Sequence, residues 1–413
     1  MRTDISLLRG NSNHGRLEMT KSKCRTFRWI ALFLFTVSTF CGGVPAVHHK
    51  KYFIYVGTYT EAGSESKGIY AYRFDSDTSR IIPLGLAAET VNPSFLAVHP
   101  NRRFIYAVNE VSNYKGEKSG AVSSFAIERA TGKLTLLNQV ASRGGDPCHI
   151  SLDKTGKHVL VANYGGGSIV VFRLLGDGRL GEASAFVQHV GHGANPQRQE
   201  APHAHSIDVS PDNRFAIVND LGLDESKVYS FDSATGSLDA GNAKVNNRIV
   251  KAEPGAGPRH FAFHPNGKFA YVLNEMASTV SVFRYDAAKG EMQPLRTISS
   301  LPHDFSGHSE AAEIQVHPSG KFLYASNRGH DSIAVFAIDK DKGTVTPIEF
   351  VSTKGESPRH FEIAPNGSLL FAANEKSDNI VVFRLNPQTG RLTPTGKVLE
   401  VAQPVCVKFV AID

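Results

Sequence analysis

Cysteine is scarce in this chain: there are four among 413 residues, Cys24, Cys41, Cys148 and Cys406. So few exclude a disulfide-stapled scaffold, and their spacing does not make a cysteine zinc site. Long apolar runs are missing as well. The clearest one, Trp29 to Phe40, has twelve residues, too few to cross a hydrocarbon core of roughly 30 Å comfortably. No G-x-S-x-G elbow stands at a strand-to-helix junction, which argues against serine-esterase chemistry. The glycine-rich segment Asn163 to Ser168 lies in a hairpin without a following helix, so its glycines read as turn residues and not as a phosphate loop. The body also lacks a charge excess. Of the net +6, residues 1–46 carry +5, from seven Lys/Arg against Asp4 and Glu18, and the remainder holds 38 basic and 37 acidic side chains. The electrostatic case for nucleic acid disappears with that partition.

What the first 46 residues contain is ordered like a secretory leader. Lys21, Lys23, Arg25 and Arg28 precede the apolar run, and Gly42, Gly43 and Val44-Pro45-Ala46 follow it as a small-residue cleavage site. Cleavage is expected after Ala46, with Met19 offering an alternative start. The assignment is therefore a signal segment over 1–46 (basic and apolar parts from 19), one domain over 47–413, and a periplasmic or secreted location; an inactive leader would leave the chain cytoplasmic. Cys148 and Cys406 then remain, and both are expected to be free.

The rest of the chain repeats. HPNRRFIYAVNE (99–110), DKTGKHVLVANY (153–164), SPDNRFAIVND (210–220), HPNGKFAYVLNE (264–275), HPSGKFLYASNR (317–328) and APNGSLLFAANE (364–375) share one pattern, and KYFIYVGTY (51–59) keeps its strand. Thr58, Asn109, Asn163, Asn219, Asn274, Asn327 and Asn374 are separated by 51, 54, 56, 55, 53 and 47 residues. Each unit reads as four short strands punctuated by P-N-G and D-x-x-x-G turns. Seven such units predict an all-β fold, a seven-bladed β-propeller with four-stranded blades. Val405 to Val410 matches a first strand with no second strand after it, whereas the unit at Lys51 has a second strand and no first. The C-terminal strand should therefore close the first blade, removing two unpaired edges.

In a propeller, first strands line the central channel, and their starts lie beside the ends of the second strands. The starts hold Ser94/Phe95, Cys148/His149, His205/Ser206, Arg259/His260, Ala312/Glu313, Arg359/His360 and Val405/Cys406; the ends hold Tyr59, Glu110, Tyr164, Asp220, Glu275, Arg328 and Glu375. Ionisable groups in a confined ring must neutralise one another or face a polar cleft. Of these, His205, Arg259, Glu275, Arg328 and Arg359 are the candidates for a ligand pocket. The repeated Asn109, Asn163, Asn274 and Asn374 read as turn residues. His203 and His205 make only a weak metal pair, and His189 and His192 read as exposed loop residues.

HPNGKFAYVLNEMASTVSVFRYD, GPRHFAFHP and FLYASNRGHDSIAVFAID resemble the bacterial lactonase family, whose type is a propeller 6-phosphogluconolactonase and whose relatives include fungal carboxy-cis,cis-muconate cyclases. The resemblance covers about residues 50–412. It implies a site without metal or cofactor and a small anionic sugar lactone as substrate, in the first instance 6-phosphogluconolactone opened to 6-phosphogluconate, with no nucleic-acid partner, no membrane span after leader removal and a monomeric state. By local motif it places His205, Arg259, Glu275 and Arg328 in the catalytic set, with His149, His260, Glu313, Arg359 and His360 around them binding substrate. Within that set Glu275 is read as general base, His205 as proton shuttle or positioning group, and the arginines as anion contacts. Asp220 or His205 could replace Glu275 as base, and Glu275 could instead only neutralise Arg259. A muconate-type lactone, or a propeller that binds without turnover, is the alternative function. The family's sugar-phosphate enzymes are typically cytoplasmic, and the leader departs from that pattern.

Export should leave a mature chain beginning near residue 47, which terminal sequencing of protein from the native envelope or medium would read directly. Recovery only as a full-length cytoplasmic chain would overturn it.

Overall fold

The computed structural model describes residues 50–239 and 248–412. The proposed leader and its cleavage site lie outside them. Seven antiparallel sheets follow one another in chain order as the blades of a propeller. The first runs, from the channel outward, Pro404–Ala411, Lys51–Thr58, Gly68–Asp75 and Arg80–Glu89. The chain ends thus share a blade, with Tyr52 opposite Ala411 and Val56 opposite Val407, as the orphan strands at the two ends predict. Two blades depart from four regular strands. The inner strand of the second is only Leu96–Val98, and in the fourth Ser237–Asp239 and Ile249–Lys251 pair with opposite ends of Glu225–Asp232. No helix among the described residues is long and apolar enough to cross a membrane.

Each second strand is sandwiched between neighbouring blades, which explains its unbroken apolar character. Phe104–Asn109, Phe269–Asn274 and Leu369–Asn374 are buried at every position, as a strand covered on both sides must be. Outer strands such as Glu291–Ser299 are largely exposed. The repeated asparagines, expected as turn residues, close these strands and are buried. Asn109 Nδ2, for instance, donates to the Val91 carbonyl at 2.6 Å, tying the strand to the preceding crossover. At Asn109, Asn163 and Asn374 the turn reading gives way to a strand-end link, because a buried amide can satisfy a crossover carbonyl that no ladder reaches; Asn274 instead bonds Thr279 and Ser281 of its own hairpin.

The repeat motifs are the joints between blades. Buried Tyr55, Tyr106, Tyr271 and Tyr324 each donate to the carbonyl of a turn glycine in the next blade, Gly132, Gly178, Gly343 and Gly390, at 2.8–3.0 Å. Gly178 and Gly343 have φ of +90° and +72°, and an added Cβ would lie 2.4 and 2.2 Å from the rings of Phe104 and Phe269. Glycine is required there both by conformation and by contact. His99, His264 and His317, of the H-P motifs, donate through Nε2 to the Gly156, Gly320 and Gly367 carbonyls of the next blade at 2.8–2.9 Å.

Deleting residues 403–413 should abolish the cooperative fold. Val405, Val407 and Val410 are buried, and at roughly 1.5–3 kcal/mol each their loss approaches the ~5–15 kcal/mol that holds a domain folded, before the newly exposed sheet edge is counted. Size exclusion and thermal melting would test this; a soluble truncation with a cooperative melt near that of the full chain would refute the closure argument.

Candidate active site

A one-residue irregularity at the start of the first strands builds the site. Pro258 pairs with Asn274 and His260 with Leu273, leaving Arg259 as an extra residue. The same slip isolates Cys148 between Pro147 and His149, His205 between Ala204 and Ser206, Arg359 between Pro358 and His360, and Val405 ahead of Cys406. A bulge re-aims the unpaired side chain, and it does so here in five blades at the same mouth of the channel. The chain consequently presents two layers: the bulged residues above, and Phe95, His149, His260, Glu313 and His360 beneath them.

In the upper layer, Glu275 is the centre of an arginine cluster. Its Oε2 accepts from Arg259 Nη1 at 2.5 Å and lies 3.1 Å from Arg328 Nη2, and its Oε1 accepts from Arg198 Nη2 at 2.6 Å. Arg198 also reaches Glu310 Oε1 at 2.5 Å, and Arg259 Nε donates to the Ala312 carbonyl at 2.7 Å. Burial pushes the Glu275 carboxyl up, but the guanidiniums of Arg328, Arg259 and Arg198 outweigh it and hold the group well below the usual range. Arg328 is lowered by burial to about 10 and stays charged at neutral pH; its buried Nε has no hydrogen-bond partner.

His205 Nε2 accepts from Arg259 Nη1 at 2.6 Å. Because a guanidinium only donates, that nitrogen carries the lone pair and the ring is neutral. Burial and then Arg259 keep it so, holding His205 well below its usual value. His203 is stacked on Tyr164, ring centroids 4.5 Å apart, and its Nε2 faces Glu200 at 3.3 Å, so the two histidines of the H-x-H pair answer to different partners. Arg359 stands elsewhere on the same mouth. Its Nη2 donates to Tyr59 Oη at 2.7 Å, and Tyr59 donates to Glu110 at 3.1 Å.

The four other residues expected to bind substrate lie in the lower layer. His149 and Phe95 rings are 4.5 Å apart, with His260 and His360 edge-on to Phe95 at 5.7 and 5.5 Å. His149 Nδ1 accepts from the Ile207 amide of the next blade, and His360 Nδ1 accepts from the Val407 amide. His260 Nδ1 donates to Glu313 Oε2 at 2.9 Å. Burial holds all three imidazoles below the usual range, His360 at about 3. Beneath this layer the channel opens at its other end into a cavity of about 810 Å³.

Several readings are corrected. His189, expected to be exposed, is buried: Nδ1 donates to Asp220 Oδ2 at 2.5 Å and Nε2 accepts from Tyr229 Oη at 2.9 Å. The loop folds inward because Asp220 needs that donor. Asp220 also accepts from the amides of His203 and Leu223, which removes it from the candidates for general base. Arg198 was missed. It sits on the loop between Leu180–Gln188 and Ala204–Val209, whose length, beyond the usual connection, was the available signal. His192 is exposed as expected, and Cys148 and Cys406 are buried and free.

Residues 53–409 match the family described as Lactonase, 7-bladed beta-propeller. The chain belongs to that family. It is 38% identical over 359 residues to the 6-phosphogluconolactonase of Bacillus subtilis, across 87% of this chain and 98% of the relative. The 6-phosphogluconolactonase of Formosa agariphila is 34% identical over 315 residues, across 75% and 86%. Among solved structures, the periplasmic gluconolactonase of Pseudomonas aeruginosa aligns with a TM-score of 0.81 at 34% identity, over 88% of this chain and all of that one.

Replacing Glu275 by Gln should destabilise the protein by about 3–5 kcal/mol at neutral pH, because the arginines lose their buried counter-charge. Glu275 has a folded pKa below its ordinary value of 4.5, so its contribution is complete above that value and is lost as pH falls through the folded one. The gap between wild type and Glu275→Gln should therefore narrow on acidification below about pH 4.5 in urea unfolding. A gap that holds or widens would contradict an ionised Glu275.

Proposed function

We propose that the chain hydrolyses a sugar lactone bound at the arginine-rich mouth, with 6-phosphogluconolactone as the leading substrate and 6-phosphogluconate as product. The observation that carries this reading is Arg328, a partly buried guanidinium at the mouth whose buried Nε is still unpartnered. An anionic substituent satisfies it, and the fixed fork of donors suits phosphate. Family membership and the named activity of the Bacillus subtilis relative supply the reaction class. Arg259 is positioned to stabilise the oxyanion that develops when the lactone carbonyl is attacked, and neutral His205 holds that guanidinium in place. Glu275 is assigned to the counter-ion role. A carboxylate held ionised by three guanidiniums is a weak proton acceptor, whereas a general base works best with a pKa near the working pH.

A second reading follows from the leader. We propose export, on the charge and hydrophobic order of residues 19–46 and the likeness to a protein described as periplasmic. An exported enzyme meets unphosphorylated lactones more readily, and gluconolactone is then the substrate.

The purified chain, assayed against phosphorylated and unphosphorylated lactones with spontaneous hydrolysis subtracted, separates these readings. Arg328→Lys should raise KM for the phosphorylated lactone by about tenfold or more, the scale of one charge-assisted hydrogen bond, and change the unphosphorylated reaction less. Equal effects on both would remove Arg328 from phosphate recognition, and absence of turnover across the panel would favour a binding module.

A further inference from the structure

We propose that Glu110 is a catalytic residue: it takes the proton from the attacking water in a small pocket that it shares with Ser94, Cys148, Arg259 and Arg359. The inference rests on the lactone-hydrolase reading above. Glu110 follows the strand Phe104–Asn109 directly, at the position in its blade that Glu275 occupies three blades further on. The two carboxylates live in opposite environments. Glu275 accepts from Arg198 and Arg259 and lies 3.1 Å from Arg328. Among the described residues the Glu110 carboxylate accepts only hydroxyl hydrogen bonds, from Tyr59 at 3.1 Å to each oxygen and from Ser94 Oγ.

The pocket beside it, about 10 Å³ in volume, is bounded by Ser94, Glu110, Cys148, Arg259, His260 and Arg359. That is about the space one water needs. Two guanidiniums line the same pocket as the carboxylate, so a carbonyl presented there would meet donors for its oxyanion beside the water that attacks it. Other groups on this wall are poor candidates for the proton. The Cys148 thiol is pushed up by burial and stays protonated. His205 is neutral with its Nε2 lone pair engaged by Arg259, and the Tyr59 hydroxyl is likewise pushed up.

The charged groups that act on Glu110 are Arg359 and Arg259, with Ser94 and Tyr59 donating to it; Glu375 acts on Tyr59 and Arg359 themselves. Burial outweighs these lowering influences and raises the Glu110 carboxyl. Two carboxyls driven apart in this way divide the work of a site, the raised one exchanging protons and the depressed one holding charge.

The step balances without a co-reactant. The water oxygen bonds to the lactone carbonyl carbon as Glu110 accepts its proton, and the carbonyl oxygen becomes an oxyanion beside Arg259 and Arg359. Collapse breaks the bond from that carbon to the ring oxygen, which leaves with the proton returned by Glu110. The product is the open hydroxy acid, whose carboxyl proton passes to solvent.

The test compares Glu110→Gln and Glu110→Asp with the unaltered chain across pH, with melting temperature and calorimetric binding of 6-phosphogluconate as controls. Glu110→Gln should bind the product normally yet lose about 10²–10⁴-fold in kcat, and the acid limb of kcat/KM, expected above the range of an ordinary carboxylate, should vanish with it. Glu110→Asp should keep that limb at an intermediate rate. Should the Gln variant melt early, Glu110→Ala, assayed at a temperature where it is folded, decides: a limb unmoved and a rate within about threefold of the unaltered chain would overturn the proposal. The same result in a well-folded Gln variant would overturn it too. No turnover by the unaltered chain would instead refute the lactone-hydrolase reading, and this inference with it.

Discussion

The antiparallel pairing of Pro404–Ala411 with Lys51–Thr58 is the contact on which the ring depends. Six of the seven blades are built from consecutive strands, and their joints are local in the sense that each tyrosine or histidine reaches only the next blade. The closing pair is different, because it spans the whole described chain. A cost in loop entropy falls on this one pairing, and it is met by burying two sheet edges that would otherwise stay open. The site inherits the dependence. Arg359 and Tyr59, hydrogen-bonded at 2.7 Å, are 300 residues apart and meet only across the closure. Glu110 receives its Tyr59 hydrogen bond on the same side of the ring.

The mouth is an electrostatic balance in which each carboxylate's character is set by its donors. Arg198 bridges Glu275 and Glu310, and Arg328 lies near both. Such a buried network is weak evidence for stability, since desolvation opposes the attraction. Its value is geometric. Arg259 is held by Glu275, His205 and the Ala312 carbonyl together, so its remaining donors keep a fixed direction, which is what preorganised stabilisation of a developing charge requires. Glu110 escapes this network because its nearest donors are hydroxyls.

The ring, its blade count and its closure were legible because they are periodic: a motif repeated seven times constrains every copy. The P-x-H start carried the bulge in plain sight at Arg259 and Arg359, and His205 reaches the same mouth from the bulge in Ala204-His205-Ser206. What it concealed was the layering. One extra residue decides which of Arg259 and His260 faces the mouth and which the floor, so His149, His260, Glu313 and His360 were grouped with residues one layer above them. Arg198 belongs to a loop present in one blade only, and no repeat could expose it. His189 misled for a related reason, since glycines nearby suggested an exposed loop and only the fold brings Asp220 and Tyr229 to it. Glu110 stood among the strand-end positions, yet nothing local separates it from Glu275. The distinction lies in partners contributed by other blades.

The floor of the site shows how one set of hydrogen bonds serves both architecture and chemistry. His149 and His360 accept amides from neighbouring blades, which fixes a lone pair on Nδ1 and, with burial, keeps both rings uncharged. Joined to Phe95 and His260, they form a set of uncharged rings around the Glu313 carboxylate, between the arginine cluster and the opposite mouth, where Lys408 pairs with Glu362 at 2.8 Å and burial raises Asp208 to about 7. Val407, whose amide bonds His360, lies on the closing strand. Loss of closure would therefore free an imidazole directly beneath the mouth as well as a sheet edge, and a proton taken up there would set a positive charge against the arginines above it, opposing the arrangement that holds them.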